Sequence, residues 1–207
     1  MSLRVLERPA AGEPEGSLVL LHGRGADEYD LHPLLDTLDP ERRLLGITPR
    51  APLALPPGGA HWYRLGGIPT PEAETFWPSF NALGELVDGL PQPLVLGGFS
   101  QGTAMSWAVG LGRGPAKRPS TIVAFSGFIP TVEGLELDLS DLDGYRVAIA
   151  HGTLDPVIPA QWGRAARDQL TAAGADVTYH EPPLPHTIDP AVLPVVRDLI
   201  RRALDTK

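Results

Sequence analysis

A serine in a glycine-rich turn is the residue of this sequence best placed to do chemistry. Ser100 stands in Gly98-Phe99-Ser100-Gln101-Gly102, after the apolar run Leu94-Val95-Leu96 and before small residues that suit a helix. In such a strand-to-helix turn, the serine hydroxyl is exposed above the end of a parallel sheet. The flanking glycines leave room for a strained backbone. The pattern predicts that Ser100 is a nucleophile; the alternative is an ordinary glycine-rich loop.

A nucleophilic serine needs a base to take its proton and a carboxylate to orient that base. With this kind of turn the chain order is serine, acid, histidine, each on a loop after a later strand. Asp155 follows the strand pattern 145–150, and His186 follows the pattern 175–180. We therefore predict that Asp155 is the orienting acid and His186 the base. The alternatives are a turn-forming Asp-Pro pair and a surface histidine that caps the next helix.

Four other histidines compete for the role of base. His151 would precede its own acid, which breaks the order, so we interpret it as a structural residue or a neighbour of the site. His180 falls at the end of a strand and is expected at an exposed edge. His32 and His61 come too early in the chain to be the base, although either could line a pocket.

Acyl transfer also needs backbone N–H groups aimed at the developing oxyanion. One donor comes from the residue after the nucleophile, and the second from a loop after an early strand. The strand pattern 17–21 leads into His22-Gly23-Arg24. We predict the backbone N–H groups of Arg24 and Gln101 as the two donors, and His22 as a residue that braces the loop.

Apolar runs alternate with helical patterns along the chain. The alternation predicts a doubly wound, mostly parallel α/β sheet flanked by helices. Ligands bind at the carboxyl ends of the strands in such sheets, and the predicted site residues fall there. Strands are predicted near residues 3–6, 18–21, 44–47, 94–96, 121–125, 146–150 and 177–180, and helices over 29–38, 75–89, 101–111, 160–173 and 191–203.

The longest irregular segment runs from Pro49 to Pro78 and is too short to form a lid domain. Its aromatic residues are predicted to form an apolar wall of the substrate pocket. Aromatic side chains dominate burial wherever they occur, so packing of this segment onto the sheet is an equal alternative. The residues concerned are Trp62, Tyr63, Phe76 and Trp77.

Length and composition restrict the class of protein. A chain of 207 residues with 43% hydrophobic and 20% charged residues fits a single globular domain over 1–207. The net charge of -8 argues against nucleic acid and anionic membrane surfaces as partners. The absence of cysteine excludes disulfides, cysteine-ligated metals and a thiol nucleophile.

Neither a signal peptide nor a membrane span is predicted. The first residues contain no apolar core of the signal-peptide type, which predicts a cytoplasmic location. Residues 89–112 carry no charge, but glycines, prolines and the Ser-Gln pair divide them into strand, turn and helix. We therefore expect no stable membrane insertion.

Three segments together resemble the phospholipase/carboxylesterase family, namely residues 21–28, 98–102 and 151–159. The family includes acyl-protein thioesterases and small bacterial carboxylesterases, and the resemblance extends from about residue 17 to about residue 204. It implies an α/β-hydrolase fold, a nucleophile–acid–base set at Ser100, Asp155 and His186, and oxyanion donors at Arg24 and Gln101. The aromatic pair Trp62-Tyr63 is shared as well.

The chain departs from the family pattern at two places. Members usually carry a glycine before the catalytic histidine, whereas this chain has Pro185, which fixes the backbone and removes a donor. Residues 69–79 are also unusually rich in proline and aromatic residues. Substrate preference is therefore not carried over from other members.

Taken together, these patterns predict a serine carboxylesterase that acts on short- to medium-chain acyl esters and needs no metal or cofactor. One alternative is an acyl-protein thioesterase or lysophospholipase that acts on long acyl chains. Another is a non-catalytic binding module on a hydrolase scaffold, which would have no need of all three side chains. A third is a homodimer in which exposed aromatic residues cover the site.

Overall fold

The computed structural model describes residues 2–204; Met1 and residues 205–207, the ends of the predicted domain, lie outside the described residues. The strands are β1 (Val5–Arg8), β2 (Ser17–Leu21), β3 (Leu45–Pro49), β4 (Leu53–Leu55), β5 (Gly59–His61), β6 (Leu94–Phe99), β7 (Thr121–Phe125), β8 (Arg146–Ala150) and β9 (Asp176–His180). The helices are α1 (His32–Leu38), α2 (Ala73–Asp88), α3 (Gln101–Leu111), α4 (Gln161–Ala172) and α5 (Leu193–Leu204), and a 3₁₀ turn (Pro190–Val192) precedes α5.

Seven strands form one sheet in the order β1-β3-β2-β6-β7-β8-β9. Strand β1 runs antiparallel to β3, and the other neighbouring pairs are parallel. The predicted doubly wound, mostly parallel sheet is therefore confirmed. Because β2, β6, β7, β8 and β9 run in one direction, the loops that follow them meet at one edge of the sheet.

Helices cover both faces of this sheet. Leu18 and Leu20 of β2 belong to a core with side chains of α1 and α5, whereas Val19 and Leu21 belong to a core with side chains of α2 and α3. Such alternation is expected of a strand covered on both faces. Helix α3 is buried along its whole length. The central strands and α3 therefore form a rigid support for the turn between them.

A short hairpin is present where the sequence predicts only irregular structure. Strands β4 and β5 pair antiparallel within the segment 49–78. The hairpin lies against the loop after β2, since the Gly25 N–H donates to Ala60 O and the Ala60 N–H donates to Ala26 O, both at 2.8 Å. A Cβ atom at Gly59 would overlap the carbonyl of Gly25. The hairpin is thus held by contacts with another loop.

Among the described residues, no helix is long and apolar enough to cross a lipid bilayer. The uncharged residues 89–112 contain β6 and α3, as expected from their glycines and prolines. Helix α3 has 11 residues, whereas a membrane-spanning helix needs about 20.

The start of α3 approaches the end of β2 more closely than any side chain would allow. A Cβ atom at Gly102 would overlap the carbonyl oxygen of Leu21 and lie 2.7 Å from the carbonyl oxygen of His22. Both neighbours are backbone atoms, so neither can move without shifting the strand. This contact fixes the turn at Ser100 relative to the loop after β2.

We expect Gly102→Ala to lower the free energy of unfolding by about 3 kcal/mol, because an overpacked methyl group must displace backbone. Urea unfolding followed by circular dichroism measures the effect. Gly12→Ala is the control, since a Cβ atom at Gly12 meets nothing within 4 Å, and it should change stability by less than about 0.5 kcal/mol. Equal stability of the two variants would contradict this account of the contact.

Candidate active site

Ser100 lies in a strained turn between β6 and α3. Its backbone has φ 57° and ψ -117°, a conformation that costs a non-glycine residue free energy and that persists only where the surroundings enforce it. The Ser100 N–H donates to Phe125 O at 3.0 Å. The Thr103 hydroxyl contacts Gly98 O at 2.6 Å and Phe125 O at 2.7 Å. These bonds hold the turn in place.

The glycines flanking Ser100 are required by space. A Cβ atom at Gly98 would lie 2.7 Å from the Thr103 nitrogen and would overlap the backbone of Gly102. The two glycines therefore face each other across the turn. This is the steric requirement expected from the sequence pattern.

The side chains of Asp155 and His186 are hydrogen-bonded to each other. His186 Nδ1 donates to Asp155 Oδ2 at 2.6 Å. The other carboxylate oxygen, Oδ1, accepts the N–H groups of Val157 and Ile158, each at 2.8 Å. The Asp155 side chain is fully buried, and the His186 side chain is 16% exposed. Because Nδ1 carries the proton, Nε2 of a neutral His186 ring is left as an acceptor.

Ser100 and His186 both line one cavity of about 660 Å³. The His186 ring also packs against Phe99, the residue before the serine, with ring centroids 4.7 Å apart. Asp155 lies behind His186 and does not line the cavity. The structure thus brings together the three residues predicted as nucleophile, acid and base, although they come from loops after three different strands.

The two predicted oxyanion donors also line this cavity. Gln101 is the first residue of α3, so its N–H has no acceptor within the helix. Within residues 2–204, the N–H groups of Arg24 and Gln101 have no hydrogen-bond acceptor. Two unpaired backbone donors beside a serine can stabilise a negatively charged oxygen.

His22 braces the loop that carries Arg24. Its Nδ1–H donates to Gly23 O at 2.7 Å, and its Nε2 accepts the Ala51 N–H at 3.0 Å. The Trp62 indole N–H donates to His22 O at 2.8 Å. Burial lowers the pKa of His22, so the ring is neutral and cannot act as an acid. This arrangement agrees with the bracing role expected for His22.

Two further polar groups hold the segments around the cavity, and neither was predicted from the sequence. The Gln101 side chain accepts the Trp62 N–H at 3.0 Å and donates to Tyr63 O at 2.8 Å. Arg50 donates to the buried Glu28 at 3.0 Å and to Gly58 O at 2.8 Å. The glutamate that follows the glycine-rich loop could have indicated the ion pair. No local sequence pattern indicates the two hydrogen bonds of the Gln101 side chain.

The cavity wall is apolar, but it is not made of the predicted aromatic residues. Of the four, only Tyr63 lines the cavity. Trp62 and Phe76 are fully buried in the core, and Trp77 packs edge-on against Phe80. The structure therefore corrects the pocket prediction for these three residues. The apolar wall consists instead of Leu65, Ile68, Phe99, Phe128, Val157 and Ile158.

The remaining histidines lie away from the cavity wall. His32 contacts Thr48 Oγ1 at 3.1 Å, and His61 donates to Tyr63 O at 3.1 Å. His180 donates to Asp189 at 2.7 Å, and this bond lowers the pKa of the Asp189 carboxyl. His151 is buried beside Asp155. Throughout residues 2–204, no group of three or more histidine, aspartate and glutamate side chains could hold a metal ion.

Pro185 lies in a loop that packs against the loop carrying Asp155. The carbonyl oxygens of Leu184 and Pro185 pack against Gly152, where a Cβ atom would lie 2.7 Å from Pro185 O. The Leu154 N–H donates to Leu184 O at 3.1 Å. The loop before His186 is therefore fixed to the loop that carries Asp155.

Known proteins resemble this chain in sequence and in fold. The model of the family described as Phospholipase/Carboxylesterase matches residues 7–204. Acyl-protein thioesterase 1 of Gibberella zeae is 25% identical over 225 residues, covering 96% of this chain and 95% of that protein.

Solved structures of two esterases have the same fold as this chain. Esterase PE8 is 27% identical with a TM-score of 0.83, covering 98% of this chain and 100% of that one. The Bacillus cereus carboxylesterase has the same fold, with 23% identity, a TM-score of 0.80 and coverage of 97% and 94%. The chain belongs to the phospholipase/carboxylesterase family and is a hydrolase that acts on esters.

Proposed function

We propose that this protein hydrolyses short- to medium-chain acyl esters through an acyl-enzyme on Ser100. The observation that carries the proposal is the 2.6 Å bond between Asp155 and His186, with His186 and the strained Ser100 turn on one cavity. That bond leaves His186 Nε2 free to accept the serine proton. Such a constellation is recognised by its geometry and roles.

The proposed reaction begins when Ser100 Oγ attacks the ester carbonyl and His186 takes the hydroxyl proton. The carbonyl oxygen becomes negatively charged and accepts hydrogen bonds from the Arg24 and Gln101 N–H groups. His186 then returns the proton to the leaving alcohol, and the acyl group stays on Ser100. Water, deprotonated by His186, releases the acid and restores the serine.

The cavity wall supports an acyl chain as the group that is recognised. A site of about 660 Å³ lies within the usual range for small-molecule pockets. Its apolar side chains offer no donor or acceptor, so they gain most from a hydrocarbon substituent. No metal or cofactor is needed for this chemistry. The cytoplasmic location and the homodimer stay predictions from the sequence.

A thioesterase or lysophospholipase acting on long acyl chains is the second candidate. Leu65, Ile68 and Val157 are 64%, 37% and 56% exposed, and they continue the apolar wall to the surface. A longer chain could lie along them. Acyl-chain preference therefore separates the two candidates, and a p-nitrophenyl ester series from acetate to palmitate measures it. A maximum at short chains favours the first candidate, and a maximum at palmitate favours the second.

We expect Ser100→Ala, Asp155→Asn and His186→Ala each to lower kcat by at least about 10³-fold, because each removes one function of the triad. Hydrolysis of p-nitrophenyl butanoate measures the loss. His32→Gln is the matched control, since His32 contacts Thr48 outside the cavity, and it should keep most of the activity. A fully active His186→Ala variant would refute the assignment. No turnover by wild type above Ser100→Ala on any ester would favour the binding module.

We expect Leu65→Ser to lower kcat/KM for octanoate relative to acetate about fivefold, because the chain loses an apolar contact worth about 1 kcal/mol. The measurement is the ratio of the two kcat/KM values. Val195→Ser is the control, since Val195 is 47% exposed on α5 and does not line the cavity. If both variants gave the wild-type ratio, the acyl chain would not lie along this wall.

A further inference from the structure

His151 is a buried histidine beside the candidate triad, and the proposed reaction gives it no role. It follows β8, and its side chain is fully buried. Its Nε2–H donates to Ile158 O at 2.8 Å. Because a carbonyl oxygen can only accept, the ring proton resides on Nε2. Burial lowers the pKa of His151, so the ring is neutral.

The His151 ring is closely packed on the side away from Asp155. Its Nδ1 atom is buried and has no hydrogen-bond partner within residues 2–204. That edge faces Gly163 of α4, where a Cβ atom would lie 2.7 Å from Nδ1 and 2.9 Å from the His151 Cβ. An unsatisfied buried acceptor costs free energy. An apolar side chain could fill this space without an unsatisfied acceptor, so packing alone does not explain a histidine at this position.

The opposite edge of the ring connects to Asp155 in two ways. His151 Nε2 lies 3.5 Å from Asp155 Oδ2, which is the oxygen that accepts the hydrogen bond from His186 Nδ1. In addition, the carbonyl of Ile158 accepts from His151 while its N–H donates to Asp155 Oδ1 at 2.8 Å. Ile158 therefore joins the two side chains into a closed set of contacts.

We propose that His151 is a positioning residue for the candidate triad. It holds the loop of residues 155–158 so that Asp155 keeps one oxygen on His186, and it places an N–H dipole beside that oxygen. The inference rests on the proposed function, because its effect is exerted through His186. His151 does not touch the cavity or the substrate.

Other charged side chains lie near His151, Asp155 and His186. Glu181, which follows β9, is near enough to act on His151 electrostatically and is paired with Arg164 of α4 at 2.5 Å. Arg24 and Asp30 lie on the cavity wall on the side of the loop after β2. None of them would be altered by a change confined to the His151 ring.

Removal of the His151 N–H should change the pH dependence in a defined direction. A carboxylate that loses a nearby donor holds more negative charge and stabilises the protonated imidazole of His186. His186 would then stay protonated to higher pH, where it cannot act as a base. The acid limb of the kcat/KM profile would move upward.

The test compares His151→Met with His151→Gln. The two side chains have similar length, but only glutamine keeps an N–H donor near the position of Nε2. We expect the methionine variant to show an acid limb about half a pH unit higher and a kcat about tenfold lower, with KM within about twofold of wild type. The glutamine variant should return the limb to within about 0.2 pH units of wild type.

Proton NMR provides a second readout. The low-field resonance of His186 Nδ1–H, identified by its loss in His186→Ala, should shift in the methionine variant and return to its wild-type position in the glutamine variant.

If the methionine variant does not fold, Gly163→Ala replaces it, because a methyl group at residue 163 would displace the His151 ring. An unchanged limb in a folded variant overturns the proposal. In that case Ser100→Ala and His186→Ala would still be inactive if the proposed function is correct, so the two failures are distinguishable.

Discussion

The approach of α3 to β2 is the constraint on which the arrangement of the site depends. Gly98 and Gly102 face each other across the Ser100 turn, and Gly102 in turn rests against the carbonyl groups that end β2. Backbone atoms occupy all the space, so the strand that precedes the serine, the helix that follows it and the loop that carries Arg24 have one relative position. The Ser100 backbone keeps its strained conformation because these neighbours leave no alternative. The two unpaired N–H groups are thus set by packing, before any ligand is present.

Buried polar side chains near the cavity are almost all neutral or paired. His22 and His151 lose their tendency to become charged through burial, and the Asp155 carboxylate receives three hydrogen bonds at 2.8 Å or less. A buried carboxylate without such donors would favour its protonated form. Of the three side chains, the Asp155 carboxylate is therefore the one that carries charge, and its donors are directed at it. A histidine beside that carboxylate is well placed to accept and return a proton.

The positions of the central strands and the mostly parallel α/β class could be predicted because they depend on short, local patterns. The proposal of Ser100, Asp155 and His186 as a triad rests on the same kind of pattern, and the structure brings the three residues together. The strands over 121–125 and 146–150 and the helix over 101–111 agree with the structure at both ends. The β4–β5 hairpin could not be predicted, because each strand has three residues and its stability comes from contacts with Gly25 and Ala26. The same reason explains the aromatic residues. Trp62 points into the core because its indole N–H reaches His22 O, a partner 40 residues away that no local pattern reveals.

The wall of the cavity has two parts that differ in how they are attached. Val157 and Ile158 belong to the loop whose N–H groups hold Asp155. Leu65 and Ile68 lie on a separate loop that is closed by the bond from the Glu72 N–H to Arg64 O at 3.2 Å. A change of side chain on the first loop alters acid orientation together with substrate contact, whereas a change on the second alters substrate contact alone. A change of substrate range is therefore expected to arise through residues 64–72, because a substitution within residues 155–158 would also disturb the acid.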